Sequence, residues 1–186
     1  MGVGDQKKQL ILDAVLRVIA AEGVDGVTHR SVGAEAGVSH GVVSYHFPTR
    51  DELVLRSFEH HLGQVEDYDA IVKWDHTDRM TKSRIVDNLC AAVSLDMAGA
   101  ATTRVEQELI LYASRRPEIA VVFRDWEQKV IEALADSLQR ARCRHPRLTA
   151  AILLSLSRGF LLESLTDPSL TEADFRRRAN AVLGID

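Results

Sequence analysis

Between Thr28 and His46 the chain offers two short helical patterns separated by only Gly37-Val38-Ser39, a spacing that also occurs in many helical cores. Thr28 can cap the first through its hydroxyl, Val32 and Ala36 share one of its faces, and Gly37 ends it. Ser39 caps the second, which runs over His40–His46 until Pro48 stops it. Two helices on so short a turn have the layout of a helix-turn-helix, whose second helix enters the DNA major groove. That groove admits a helix only where the exposed side chains are short or can hydrogen-bond base edges. The second helix has this composition: Gly41 and Ser44 permit close backbone approach, Val42 can touch thymine methyls, and Ser39 and His40 can reach bases or phosphates. Val43 faces back toward Val32, Val38 and the first helix, and packing is the better reading of Phe47.

Phosphate contacts have candidates around this element. Tyr45 and His46 end the helix at the groove wall, and Thr28 and Thr49 present hydroxyls and helix N-termini, which attract anions. Arg50 adds a full charge, Arg30 is long enough for a phosphate or a guanine edge, and Lys7 and Lys8 form a small basic arm. Net charge is −4, so nucleic-acid binding would require cations concentrated on one face. Their number is modest, and tight binding then calls for two copies of the site.

The remainder has helical periodicity throughout and almost no alternating pattern. The first helix spans about Asp5–Ala21, with rows Leu10, Ala14, Val18 and Ile11, Val15, Ile19, and stops at Gly23. After Pro48 a fourth helix opens on Thr49 with Asp51 and Glu52 in its first turn, a Thr-x-x-Glu capping box. The spacing places further helices over Thr81–Ala98, Thr102–Arg115, Glu118–Cys143, Arg147–Leu165 and Thr171–Leu183, with Pro117, Pro146 and Pro168 at boundaries. The expected fold is all-α with about nine helices. A three-helix DNA-binding domain at 1–48 precedes a helical ligand-binding and dimerisation domain at 49–186. Two cysteines without a CxxC pair argue for a reducing compartment, against a disulfide scaffold and against a structural zinc site. No apolar run reaches the roughly 18 residues of a membrane span, nor is there a signal-peptide core. The expected location is the cytoplasm, with no membrane partner and no cofactor.

The stretch VTHRSVGAEAGVSHGVVSYHFPTRDELV goes further than spacing. It resembles the DNA-binding module of the TetR family of bacterial transcriptional repressors. The family pattern has a Thr opening the second helix, an Ala-x-x-Ala-Gly-Val-Ser turn, a small residue in the third helix, then Tyr-x-(Tyr/His)-Phe and a basic residue before a Leu-rich helix. Here these are Thr28, Gly33/Ala36-Gly37-Val38-Ser39, Gly41, Tyr45, Phe47 and Arg50. Gly33 stands for the first Ala of the turn, and Pro48-Thr49-Arg50 for the usual Gly-Ser/Asn-Lys. The resemblance covers Leu10 to Val54. It implies a homodimer, double-stranded operator DNA with two half-sites, and a small-molecule inducer that releases the DNA.

In the body, the helix over Arg147–Leu165 is apolar nearly all round, which demands burial on all sides. One side can meet a copy of itself: Leu148, Ile152, Leu156 and Phe160 form the expected dimer row, with Ser155, Ser157 and Gly159 permitting close approach in a two-fold four-helix interface. An inducer pocket, largely apolar, is expected from Leu89, Val93 and Met97, with Glu106, Tyr112, Phe123 and Trp126, since aromatic and Met side chains around a few polar groups build such cavities. Trp74 is a possible lid or an exposed residue. An enzyme is the first rival: His60, His61, Asp67, Asp69, Asp75 and His76 are the potential ligands. No metal-binding spacing joins them, and no nucleophile motif or phosphate loop is present. A helical interaction module with a vestigial helix-turn-helix is the second rival; it would show no salt-dependent DNA binding.

Overall fold

A computed structural model describes residues 3–71 and 80–185; Trp74, Asp75 and His76 lie outside the described residues, as do the side chains of Asp67 and Asp69. Among the described residues there are nine α-helices and no strand: α1 (Val3–Glu22), α2 (His29–Ala36), α3 (His40–His46), α4 (Arg50–Ile71), α5 (Lys82–Ala98), α6 (Ala100–Ala113), α7 (Pro117–Arg140), α8 (Pro146–Ser164) and α9 (Glu172–Leu183). A single 3-10 turn, Val24–Gly26, joins α1 to α2. The chain divides into two compact units, residues 1–66 with 104–123 and residues 67–103 with 124–186. The unit that holds the helix-turn-helix is therefore larger than its first 48 residues. It takes in the first part of α4 and most of α6 as well.

In the first unit Ile11, Val15 and Ile19 of α1 are buried to 1% exposure or less, and Val32, Val43, Phe47, Leu53, Val54 and Phe58 are buried as well. Each such side chain contributes about 1.5–3 kcal/mol on full burial, so these rows hold the short helices that could not stand alone. His29 Nε2 lies 2.7 Å from the Phe47 carbonyl oxygen, tying the start of α2 to the end of α3. His61 is buried, and burial first, then the charge of His60, pulls its pKa down to about 4. The imidazole is therefore neutral inside the core. His60 Nε2 instead lies 2.7 Å from Asp13 Oδ1. Among the described residues no three His, Cys, Asp or Glu side chains come together as a metal site.

The second unit packs α5, α8 and α9 around Phe160 and Phe175, whose rings meet edge-on at 5.4 Å. Thr171 and Asp174 form a reciprocal capping box that starts α9. Arg176 pairs with Asp87, and Arg158 with Glu127. One expectation is corrected here. Phe160 is fully buried within this unit, whereas Leu148 is 62% and Ile152 43% exposed; Leu156 is half-buried against the core. The row Leu148, Ile152, Leu156, Phe160 thus starts on the surface and ends in the core, and Phe160 is not available to a partner. No helix among the described residues is long and apolar enough to cross a membrane.

Candidate nucleic-acid interface

The turn of the helix-turn-helix is built from caps. Thr28 Oγ1 accepts from Ser31 N at 3.0 Å while Ser31 Oγ accepts from Thr28 N at 2.9 Å, closing a capping box at α2. Gly37 ends α2 in the left-handed conformation (φ 68°), where its N–H reaches the carbonyls of Ala34 and Gly33. Ser39 Oγ accepts from Val42 N at 3.4 Å and starts α3. Val43 is fully buried and anchors the helix, while Ser39, His40, Gly41 and Tyr45 are exposed and Val42, Ser44 and His46 half-buried. Tyr45 is 82% exposed, the only aromatic among the exposed large apolar side chains of the described residues, and its ring meets His46 edge-on at 5.1 Å. Thr28, Arg30 and Thr49 are also exposed, and Thr49 Oγ1 accepts from Glu52 N at 3.1 Å.

Gly33 is buried, and a Cβ placed there would sit 2.9 Å from the Val38 carbonyl oxygen and 3.2 Å from His40 N. The glycine lets the end of the turn and the first residue of α3 lie directly on α2. Alanine at this helical position would gain up to about 1 kcal/mol of helix propensity, but overpacking against backbone, which cannot swing aside, costs about 1–3 kcal/mol. Gly33→Ala is therefore expected to lower stability by about 1 kcal/mol net, read as a lowered melting temperature by circular dichroism. An unchanged or raised value would show that the turn can yield.

Arg50, expected beside a phosphate, makes hydrogen bonds within this unit. Its guanidinium turns inward: Nη2 donates to the Val24 carbonyl at 2.7 Å, Nε to the Val27 carbonyl at 2.9 Å and Nη1 to the Tyr112 hydroxyl at 3.3 Å. Tyr112 in turn donates to Asp51 Oδ1 at 2.9 Å, and the Arg116 guanidinium lies 4.5 Å from its ring centre. Burial first, then the bond to Asp51, raise the Tyr112 pKa, so the phenol stays protonated and can donate. Glu108 Oε2 accepts from Val24 N at 3.3 Å. Glu108, Tyr112 and Arg116 stand four residues apart along one face that begins on α6, and none had been assigned to this unit from the sequence. Such contacts join residues 61 to 84 positions apart and leave no local signal.

Residues 11–56 match the family model for bacterial regulatory proteins of the tetR family, and residues 80–184 that for the tetracyclin repressor-like C-terminal domain. The chain belongs to the TetR family. It is thus one of a family of DNA-binding transcriptional regulators. The nicotine-responsive transcriptional repressor HdnoR of Paenarthrobacter nicotinovorans is 27% identical over 171 residues, 89% of this chain and 86% of that protein. A transcriptional regulator from Rhodococcus sp. Rha1 shares the fold at a TM-score of 0.83 and 22% identity, covering 95% of this chain and 94% of that one. A TetR-family member from Streptomyces coelicolor A3 superimposes at a TM-score of 0.75 with 28% identity, covering 95% and 98%.

The ligand candidates of this TetR-family chain fall in both units. Glu106 is half-buried in the first, Phe123 stacks on Phe58 at 5.9 Å, and Tyr112 is taken up by Arg50 and Asp51. In the second, Val93 belongs to the core, Leu89 and Met97 pack half-buried against it, and Trp126 is buried beneath the Arg158 guanidinium, 5.6 Å from the ring centre.

Proposed function

We propose that the chain is a repressor that binds operator DNA as a homodimer, one α3 in each half-site, and lets go when a small, largely apolar molecule binds its second unit. The observation that carries this reading is the division of labour on α3: Val43 is buried while Ser39, His40, Gly41 and Tyr45 face solvent. His40, Gly41, Val42, Ser44 and Arg30 are the base-reading candidates. Thr28, Ser39, Tyr45, His46 and Thr49 are the phosphate candidates; the Ser39 and Thr49 hydroxyls, which accept from the backbone, still have their own protons to donate, while that of Thr28 also meets Ser31 Oγ at 2.9 Å. Leu148 and Ile152 are the interface candidates on α8. Leu89, Met97 and Trp126 offer the apolar surface for an inducer, a class that the nicotine-responsive relative illustrates. An operator partner implies the cytoplasm.

The test is a fluorescence anisotropy titration with the intergenic DNA beside the gene. Tyr45→Ala is expected to weaken binding about fivefold on every sequence, the worth of one hydrogen bond to the backbone, with an unchanged melting temperature because the ring buries little. Arg30→Ala or His40→Ala should instead change which sequences are preferred. Equal affinities of Tyr45→Ala and the parent chain would sink the groove placement of α3.

A further inference from the structure

We infer that Arg50 is a positioning residue for DNA binding, a fork that locks the entry of α2 to the exit of α3, and that it makes no phosphate contact. The inference rests on the operator binding proposed above. Val24 and Val27, whose carbonyls it holds at 2.7 and 2.9 Å, lie within the four residues before Thr28, the cap of α2. Arg50 itself opens α4, three residues after Phe47, which ends α3. One planar group therefore joins the chain just before the helix-turn-helix to the chain just after it. Its outer edge rests on Tyr112, which Asp51 and Arg116 hold in turn. The Val24 peptide unit is gripped twice, its carbonyl by Arg50 and its N–H by Glu108.

The chemistry requires arginine. Three donors in a fixed plane reach three acceptors in different directions, which a single ammonium on a flexible stem cannot do. A phosphate contact makes the opposite demand: a point charge within reach is sufficient, and lysine supplies it. Loosening the fork lowers the fraction of molecules whose α3 is correctly set, and the apparent affinity falls by that fraction. No phosphate charge is removed, so the dependence on salt remains as it was.

The experiment uses the full chain and its intergenic DNA, with anisotropy titrations at several salt concentrations. The parent is compared with Arg50→Lys, Arg50→Ala and Tyr112→Phe at a temperature where circular dichroism shows all four fully folded. Arg50→Lys and Arg50→Ala are both expected to bind about tenfold more weakly, the equivalent of one charged hydrogen bond, with the parent's slope of log affinity against log salt. Tyr112→Phe should weaken binding less, and should add nothing when combined with Arg50→Ala. Parent-like affinity for Arg50→Lys, or a slope about one unit shallower for Arg50→Ala, would overturn the inference and restore the phosphate contact. Failure of the parent chain to bind any DNA would instead remove the regulator reading itself.

Discussion

Phe160→Ala is expected to lower the stability of the second unit by about 3–5 kcal/mol, the cost of emptying a fully packed phenyl site. Phe160 has no exposed area, its ring meets Phe175 edge-on at 5.4 Å, and the Arg178 guanidinium lies 5.1 Å from its ring centre. Truncation therefore removes contacts on both α8 and α9. Phe175 loses an aromatic partner worth about 0.5–1.5 kcal/mol beyond its buried area, and α9 docks on this unit through Phe175, Ala179 and Leu183. Against a total stability of about 5–15 kcal/mol, the loss is a large fraction. Urea denaturation followed by far-ultraviolet circular dichroism should show the midpoint fall sharply. Any loss of dimer in such a variant follows from unfolding. A stably folded Phe160→Ala chain that merely failed to dimerise would contradict the burial of this ring.

Helical geometry explains why the row containing Phe160 looked like an interface. A step of four residues in a helix of 3.6 residues per turn advances about 40°, so three such steps carry a row about 120° round the helix. Leu148 and Phe160 consequently belong to different faces. On the α8 wheel the exposed stripe is Leu148, Ile152, Ser155, Gly159 and Leu162, reached by mixing steps of three and four. The same drift acts on α1, where Leu10 is 44% exposed although Ala14 and Val18 of its row are buried. A helix that is apolar all round, such as α8, gives no polar face from which to phase the rows.

Features written in local chemistry were legible. Thr28, Ser39 and Gly37 cap and close the helix-turn-helix where the residue types require it, and Pro146 stands in the first turn of α8. The exposed faces of α3 followed from its small and polar residues, and Val43 and Phe47 went to the core as their apolar character demands. Gly33 was recognised as a substitution without its reason: the contact with the Val38 carbonyl depends on how closely two helices approach, which composition does not encode. The inward bonds of Arg50 leave no trace in the sequence for a similar cause. A cation beside a DNA-binding element has the same sequence signature whether it points outward to a phosphate or inward to the carbonyls of Val24 and Val27.

The exposed stripe on α8 leads to the second large effect. Leu148→Glu with Ile152→Glu is expected to weaken self-association more than a hundredfold while leaving the single chain folded. Leu148, Ile152 and Leu162 are 62%, 43% and 50% exposed, and Ser155 and Gly159 lie exposed between them. Surface substitutions of this kind shift the stability of the chain by no more than about 0.5 kcal/mol. In the homodimer proposed above, however, each substitution enters twice across the two-fold axis, and desolvating four carboxylates without partners opposes association strongly. Gly159→Leu provides an independent check. A Cβ there meets nothing within 4 Å, so the larger side chain fits the single chain. Any loss of dimer must then come from the partner helix, which small residues allow to approach closely. Sedimentation velocity over a concentration series reads both variants. Parent-like association in both would move the dimer contact off this face of α8, whereas loss in both without a change in melting temperature would place the two-fold axis beside Gly159.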